Sequence, residues 1–317
     1  MLDIVAITAP IFLIIGAGYL AMASRLLNRE QIQGIGTFVL YFALPALVIR
    51  ALTQNPLSDV IQPNYLLAYG LGSLLVFSLA LVVSLTLRRK SLSESALLSL
   101  GMSASNSGFI GYPLAATVLG ASPAAIFLAL NMVVENLLII PVALILAEAG
   151  RQSGASILTV ARKTCVRLVR NPILLGLAVG LALAMSEISL PGPLVQVIDM
   201  LANASGPAAL FVIGGTLYGL KVGGMINDVG QIVIGKLLLH PLAVLLLFML
   251  QPPVDPLWIA GALLFACSPM ISVYPLLGRR YGMAEVGAAA LMVGTLSAFF
   301  TLSAAIWLMH RYGLLPA

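Results

Sequence analysis

The sequence predicts an all-α integral membrane protein of ten transmembrane helices, arranged as a 5+5 inverted repeat in which helices four and nine are broken. Three observations support this fold class: the composition, the length of the apolar runs and an ungapped internal repeat. Charged residues make up 9% and apolar residues 61% of the 317 residues, whereas a soluble domain carries about 25% charged residues. Because so few charges cannot cover a water-exposed surface, the composition excludes a soluble protein.

Ten apolar runs, called segments one to ten below, follow one another along the chain. Each is about 18 to 27 residues long, close to the ~20 residues that a helix needs to cross the hydrocarbon core of a bilayer. Segment one is preceded only by Met1, Leu2 and Asp3, without the basic region of a cleaved signal peptide, so we expect it to stay as the first helix. The segments cover residues 4–23, 32–52, 64–87, 95–119, 123–148, 171–188, 194–220, 229–250, 256–279 and 284–308.

The basic residues predict the orientation of the chain, because Lys and Arg in short loops are retained on the cytoplasmic side. Loops on one side hold thirteen of the 16 basic residues, and loops on the other side hold Arg50 and Arg311. We therefore predict that both termini lie outside. This asymmetry explains the net charge of +5 without a nucleic-acid partner, and we expect Arg50 and Asp199, at the outer ends of their segments, to be solvated. The thirteen are Arg25, Arg29, Arg88, Arg89, Lys90, Arg151, Arg162, Lys163, Arg167, Arg170, Lys221, Arg279 and Arg280.

The second half of the chain repeats the first at a shift of 162 residues, which carries Pro10 onto Pro172 without a gap. Since the chain has only 18 prolines, three matched prolines are not readily explained by chance. Five is an odd number, so the second repeat must enter the membrane from the opposite side, as in many secondary transporters. We predict repeats at 1–148 and 171–317, joined by a basic cytoplasmic linker at 149–170 whose cations suit anionic lipid. The shift also pairs Gly18 with Gly180, Pro45 with Pro207, and Tyr112-Pro113-Leu114 with Tyr274-Pro275-Leu276.

Matched motifs interrupt segments four and nine, "NSGFIGYP" at Asn106–Pro113 and "SPMISVYP" at Ser268–Pro275. Proline removes a backbone donor and glycine relaxes φ, so each motif should break its helix near the centre. Unpaired backbone groups at that depth are tolerated where they line a cavity or are covered by protein. Free amide ends suit an anion and free carbonyl ends a cation. Either motif alone leaves a packing kink as an alternative, but their recurrence favours a binding site.

Ionisable side chains within the segments are costly and therefore mark candidate functional residues. Glu135 lies near the middle of segment five, with Asn131 one turn earlier on the same face and Asn136 beside it; this set predicts a site for a coupling proton or sodium ion. We expect Lys236 in segment eight either to balance the negative charge of an anionic substrate or to pair with Glu135. The alternatives are a static bridge between Lys236 and Glu135, and a Lys236 that extends to the cytoplasmic interface. For His240 a hydrogen-bonded packing role is favoured over proton transfer.

Motifs of other functional classes are missing from the sequence. Paired aspartates at matched depth, a zinc-protease motif, a nucleophile elbow and a phosphate-binding loop are all absent, so neither an enzyme nor an ATP-driven pump is predicted. Cys165 falls in the linker and Cys267 in segment nine, and no metal site or cofactor is expected apart from a coupling H⁺ or Na⁺.

Four stretches of the sequence resemble the auxin efflux carrier family. The resemblance is to its short bacterial form, the type similar to malonate and other organic-acid transporters. They are "YFALPALVIRAL" in segment two, Asn-x-Gly-x-x-Gly-x-Pro at Asn106–Pro113, "GPAALFVIGGTL" in segment seven and "YPLLGRRYG" at the end of segment nine. The resemblance covers essentially the whole chain, and the segment-four motif is its most specific part.

The resemblance implies a fold similar to bile-acid symporters and sodium/proton antiporters, in the inner membrane of a bacterium. Segments one, two, six and seven would form a scaffold, and segments three, four, five, eight, nine and ten a transport domain that works by elevator-type alternating access. The substrate would be a small organic anion, a carboxylate such as a dicarboxylate or an auxin-like acid. A sodium or cation/proton antiporter on the same fold is the alternative, and a homodimer is left open.

The resemblance also implies where the substrate binds, at the crossover of the two broken helices. Ser268, not a second asparagine, aligns with Asn106, so a symmetric pair of amides is not expected. The predicted substrate-binding residues are Asn106, Ser107, Gly108, Gly111, Tyr112, Pro113, Ser268, Pro269, Tyr274, Pro275 and Pro45.

Overall fold

The computed structural model describes residues 2–54, 62–151, 162, 166, 169–186, 190–220 and 226–315, with side chains from residue 8 onward. Within this part of the chain the regular structure is helical, apart from one isolated antiparallel bridge between Ser105 and Met270. The all-helical prediction is therefore confirmed. Most of the linker at 149–170, with Lys163, Cys165 and Arg167, and Lys221 as well, lies outside the described residues.

Every apolar segment contains helix. In the first half of the chain the helices are Leu2–Ala23, Arg29–Phe38, Leu44–Gln54, Pro63–Val82, Leu92–Ser103, Tyr112–Leu119, Ala121–Val134 and Ile140–Ala149. In the second half they are Pro172–Ser186, Gly192–Leu217, Ile226–Ile234, His240–Met249, Pro256–Ala266, Tyr274–Gly278, the 3₁₀ turn Arg279–Tyr281 and Ala284–Arg311.

Within the ranges that the structure describes, six continuous helices are long and apolar enough to cross a membrane. They belong to segments two, three, five, seven, eight and ten: Arg29–Gln54, Pro63–Leu87, Ala121–Ala149, Gly192–Leu217, Ile226–Met249 and Ala284–Arg311. The other four segments each contribute a shorter apolar helix: Thr8–Ala23, Ser107–Leu119, Pro172–Ser186 and Pro256–Ala266. The chain thus has the helices of a multi-pass membrane protein, while the ten-span arrangement stays a prediction.

In the part of the chain that the structure describes, wider, π-helical turns of five residues occur in front of four prolines. A proline cannot donate a backbone hydrogen bond, and its ring clashes with the carbonyl four residues earlier, so the preceding turn opens. Each of these turns ends two residues before its proline: Val39–Ala43 before Pro45, Ser107–Gly111 before Pro113, Glu135–Ile139 before Pro141 and Gly235–Leu239 before Pro241.

The breaks in segments four and nine lie at residues 104–106 and 267–273. The first break precedes Gly108 and Gly111, which lie in the π-helical turn Ser107–Gly111. The break therefore includes Asn106 of the predicted motif but not its glycines. Because Pro113 widens the turn before it without ending the helix, the interruption falls ahead of the glycines.

The chain divides into two compact units. The first unit takes Met1–Pro63, Ser107–Met132 and Val169–Gly219, and the second takes Asn64–Asn106, Val133–Leu168 and Leu220–Ala317. The first therefore contains segments one, two, six and seven with parts of four and five, and each unit draws on both halves of the sequence. The division into scaffold and transport helices stays a prediction.

In the first unit, glycines let helices approach to backbone contact. A Cβ on Gly18 in segment one would overlap the carbonyl oxygen of Phe211 in segment seven. In segment six, a Cβ on Gly180 would lie 2.7 Å from Leu52 Cδ1 and 3.2 Å from Ile49 Cα in segment two. The shift of 162 residues carries Gly18 onto Gly180 and Ile49 onto Phe211, so matched positions make the same helix contact twice.

In the second unit, one end of the helix bundle is held by a buried carboxylate. Asp228, at the start of segment eight, is 4% exposed. Its two oxygens lie 2.6 Å from an Arg88 guanidinium nitrogen and 2.9 Å from Lys90 Nζ. These contacts join the ends of segments three and eight and anchor the helices that carry the polar groups described next.

Candidate functional site

The two breaks contact each other inside the second unit. The backbone N–H of Asn106 donates to the carbonyl oxygen of Pro269 over 2.8 Å. Ser105 and Met270 form the isolated antiparallel bridge beside this hydrogen bond. Residues from matched motifs in the two halves of the sequence thus lie side by side, and backbone groups that a continuous helix would have paired internally are directed to other partners.

Glu135 binds a backbone amide that the first break exposes. Its Oε1 atom accepts the N–H of Ser105 at 2.9 Å and the Tyr69 hydroxyl at 3.5 Å. The Tyr69 hydroxyl also lies 2.9 Å from Ser105 Oγ. The Glu135 residue is 1% exposed, so its charge depends on these donors and on the nearby Lys236 ammonium, with which it interacts electrostatically.

Lys236 binds a carbonyl at the second break. Its Nζ atom donates to the carbonyl oxygen of Ala266 over 2.6 Å. Ala266 ends the helix Pro256–Ala266, and the last carbonyls of a helix lack partners and carry partial negative charge. Because Lys236 is fully buried, the alternative in which it extends to the cytoplasmic interface is wrong.

His240 lies one turn beyond Lys236 and extends the polar group. Its Nδ1 atom is 2.8 Å from Lys236 Nζ, and its Nε2 atom is 2.8 Å from Ser73 Oγ in segment three. The edge of its ring meets the ring of Tyr69 with centroids 5.5 Å apart. Both ring nitrogens therefore have partners, as expected for a hydrogen-bonded packing histidine, and one of these partners is itself a cation.

Asn106 presents a hydrogen-bond donor that the described residues do not satisfy. Its side chain is buried, the residue being 3% exposed, yet Nδ2 has no hydrogen-bond partner within the described part of the chain. Ser268 at the matched position donates its hydroxyl to the carbonyl of Leu264, in the helix before the second break, over 3.1 Å and is thus satisfied. A buried unsatisfied donor costs about 1–3 kcal/mol, so it requires an explanation such as a ligand.

The other predicted residues of the second unit have structural contacts. The Tyr274 hydroxyl donates to the carbonyl oxygen of Leu97 over 2.9 Å. Pro275 packs against Gly287, where a Cβ would lie 2.9 Å from Pro275 Cα. Asn136 is partly buried on the helix that carries Glu135.

Seven predicted site residues belong to the first unit. Gly108 approaches Leu44, since an added Cβ would lie 2.9 Å from Leu44 Cδ1. Pro45 packs against Gly176 of segment six, where an added Cβ would lie 2.9 Å from Pro45 Cα. The remaining five, all buried, are Ser107, Gly111, Tyr112, Pro113 and Asn131.

Arg50 is a candidate that sequence reasoning missed. Its side chain is 14% exposed and donates to Asn203 Oδ1 over 2.8 Å, whereas the Asp199 side chain is 39% exposed, so the expected solvation fits Asp199 better than Arg50. It also lies 3.7 Å from Asp199 Oδ1. A guanidinium binds carboxylates well, so Arg50 is a candidate for binding an anion. The sequence feature that could have indicated its contacts is the polar pair Asp199 and Asn203, one helical turn apart in segment seven.

A cavity elsewhere in the second unit does not suit an anion. It has a volume of about 340 Å³ and lies between segments eight, nine and ten, with Leu237, Pro241, Cys267, Leu308 and Tyr312 in its wall. Charged side chains are absent from this lining. Nor do the described ranges bring three His, Cys, Asp or Glu residues close enough to hold a metal ion.

Buried charges beside interrupted apolar helices are typical of membrane transport proteins. Residues 3–308 match the family model described as "Membrane transport protein". The chain therefore belongs to this family, that of the auxin efflux carriers, and the resemblance seen in its motifs is confirmed. It is an integral, multi-pass membrane transport protein and not an enzyme.

Two relatives are similar to the chain, and the first supports this assignment. The chain is 31% identical over 320 residues to a protein of Rhizobium meliloti (strain 1021) named "Putative malonate transporter", covering 100% of this chain and 99% of the relative. It is 25% identical over 218 residues to the "Lysosomal cholesterol signaling protein" of Mus musculus, covering 66% of this chain and 25% of the mouse protein.

Proposed function

We propose that this protein is a secondary active transporter that binds a small organic anion, a dicarboxylate, at the contact between the breaks in segments four and nine. The observation that carries the proposal is the buried Asn106 amide, whose Nδ2 atom has no hydrogen-bond partner in the described structure. A carboxylate oxygen would satisfy this donor. The name of the full-length relative makes malonate the first substrate to test.

The charges around Asn106 fit a transient anion. Glu135 and Lys236 offset one another, so the pair adds no net charge that would hold a dicarboxylate permanently. Ser105 and Ala266, one at each break, bind these side chains through their backbones, which fixes both breaks while leaving the Asn106 amide available. A transporter needs a site that binds and then releases its substrate.

The architecture that we propose is the ten-span inverted repeat, with segments one, two, six and seven as scaffold and with elevator-type alternating access. The repeated glycine contacts in the first unit support it, because an inverted repeat makes each inter-helix contact twice. The coupling ion is a proton or sodium ion, with Asn131, Glu135, Asn136 and Lys236 as candidate residues.

The orientation that we propose places the protein in a bacterial inner membrane with both termini outside. In a variant without native cysteines, a single cysteine replacing Ser122 should react with an impermeant thiol reagent from outside the cell. A cysteine replacing Gln152, which lies outside the described residues, should react from the cytoplasmic side. Labelling of both from the same side would contradict the inverted repeat.

Reconstituted vesicles test the function directly. We expect uptake of labelled malonate by vesicles that contain the protein, with competition by other dicarboxylates. A cation/proton antiporter, which the buried Glu135 carboxylate would also suit, would instead collapse an imposed pH gradient when sodium is added and would not move malonate. That second result would overturn the anion proposal.

A further inference from the structure

Lys236 and His240 form a buried pair of proton acceptors in segment eight. Their nitrogens Nζ and Nδ1 are 2.8 Å apart, and both residues are fully buried. The contact bridges the π-helical turn Gly235–Leu239 and the helix His240–Met249 that follows it. Each side chain can carry a proton, but two cations at this distance and depth would repel strongly. The pair therefore holds one extra proton at most.

The hydrogen bonds of the pair survive the loss of that proton. When Lys236 is an ammonium, it donates to Nδ1 of a neutral His240, whose Nε2–H donates to Ser73 Oγ. When Lys236 is an amine, it accepts the Nδ1–H of His240 instead. The carbonyl oxygen of Ala266, 2.6 Å from Nζ, accepts a hydrogen bond from either form. Proton exchange at this pair thus requires no side chain to lose a partner, which keeps its structural cost small.

The groups around the pair connect its charge electrostatically to the substrate site. Glu135 on segment five and Cys267 on segment nine interact electrostatically with Lys236, and Tyr69 on segment three lies against the His240 ring. Segments four and ten also pack against the π-helical turn. Their charged residues lie at the helix ends, namely Glu94 in segment four and Glu285, His310 and Arg311 in segment ten.

Protonation of the pair therefore sets the net charge beside Asn106. With the proton bound, the pair and the Glu135 carboxylate sum to zero; without it, the carboxylate is uncompensated. Lys236 and Glu135 are tied to backbone groups of the two breaks, and the breaks are joined by the hydrogen bond from Asn106 to Pro269. An anion bound at Asn106 is accordingly favoured when the pair is protonated.

We propose that Lys236 and His240 together bind the proton that the transporter takes up when an organic anion binds. The proposal rests on the function proposed above, and it places the proton on segment eight, with Glu135 as a fixed counter-charge.

Calorimetric titration with malonate, in buffers of different ionisation enthalpy, counts the protons bound with the anion. For the parent protein we expect about one proton per malonate, with affinity falling about tenfold per unit of pH where the free pair is deprotonated. The His240→Gln variant keeps an acceptor for the Lys236 ammonium and a donor for Ser73. Its amide cannot also donate to a Lys236 amine without leaving Ser73, so Lys236 should stay protonated before malonate binds. We expect it to bind malonate with the proton uptake lost. His310→Gln, the same substitution at the exposed histidine of segment ten, serves as the matched control and should keep the uptake.

Lys236→Met provides a second variant, in which malonate binding should become independent of pH. The proposal is overturned if the parent takes up no proton, or if His240→Gln takes up as many as the parent. Failure of the proposed function gives a different result, because Asn106→Ala would then bind malonate as tightly as the parent, whatever the proton count.

Discussion

The break in segment four and the break in segment nine occupy matched positions of the repeat but differ in their polar groups. At the first break, Asn106 leaves a buried donor without a partner in the described structure, and a carboxylate, Glu135, holds the neighbouring amide. At the second, Ser268 donates to a carbonyl of the preceding helix, and a cation, Lys236, holds the carbonyl of Ala266. The repeat has thus kept the break in both halves, while the group suited to a ligand lies only in the first.

The largest expected effect comes from the charge at the first break. Glu135→Gln keeps an oxygen that can accept the Ser105 N–H but removes the negative charge that offsets Lys236. We expect the response of uptake to an imposed ion gradient to disappear while the protein stays folded, because without the carboxylate a proton on the buried pair Lys236 and His240 has no counter-charge. Uptake assays with and without a gradient measure this. A gradient response equal to that of the parent would leave Glu135 with a structural role only.

The matched glycines extend the comparison to helix packing. A Cβ on Gly18 would meet the backbone carbonyl of Phe211, whereas one on Gly180 would meet the side chain of Leu52. Since a side chain can shift and a backbone cannot, we expect Gly18→Ala to lower the free energy of unfolding by about 3 kcal/mol and Gly180→Ala by about 1 kcal/mol. Thermal unfolding in detergent checks this, and equal losses would contradict the backbone contact at Gly18.

The two prolines after the breaks give a smaller effect. Pro113→Ala restores a backbone donor that can close the widened turn Ser107–Gly111, and Pro275→Ala acts at the equivalent position. We expect each to weaken malonate binding roughly tenfold, the equivalent of one lost hydrogen bond of about 1.5 kcal/mol. Fluorescence titration of monodisperse protein measures this. Parent-like affinity in both variants would mean that the prolines only shape the helices.

Much of the fold could be predicted from the sequence, because the length of an apolar run and the position of a proline determine local helix structure. The ten helical segments and the interruption of segments four and nine were predicted from these patterns. The position of the first break was not, since the effect of Pro113 on the preceding turn depends on how the helix accommodates it. The sequence likewise gives no hint that Val39–Ala43 and Gly235–Leu239 form wider turns, beyond the prolines that follow them.

The sequence predicted which residues belong to the candidate site better than it predicted the contacts that they make. Asn106, Glu135 and Lys236 stand out because polar groups are rare in apolar segments. Their partners do not, since Tyr69 lies 66 residues from Glu135 and Ala266 lies 30 residues from Lys236 in the chain, and no spacing rule joins them. Arg50 was missed for the same reason, because its acceptor Asn203 comes from another segment.

The central claim is that the anion binds the amide of the first break and not the matched serine of the second. Titration of malonate into Asn106→Ala and Ser268→Ala, side by side with the parent, tests it most directly. A hydrogen bond to a charged ligand contributes about 1.5–3 kcal/mol, so Asn106→Ala should bind roughly ten- to a hundredfold more weakly, while Ser268→Ala should stay within about threefold of the parent. Equal affinities for the parent and Asn106→Ala, or a larger loss in Ser268→Ala, would contradict the account.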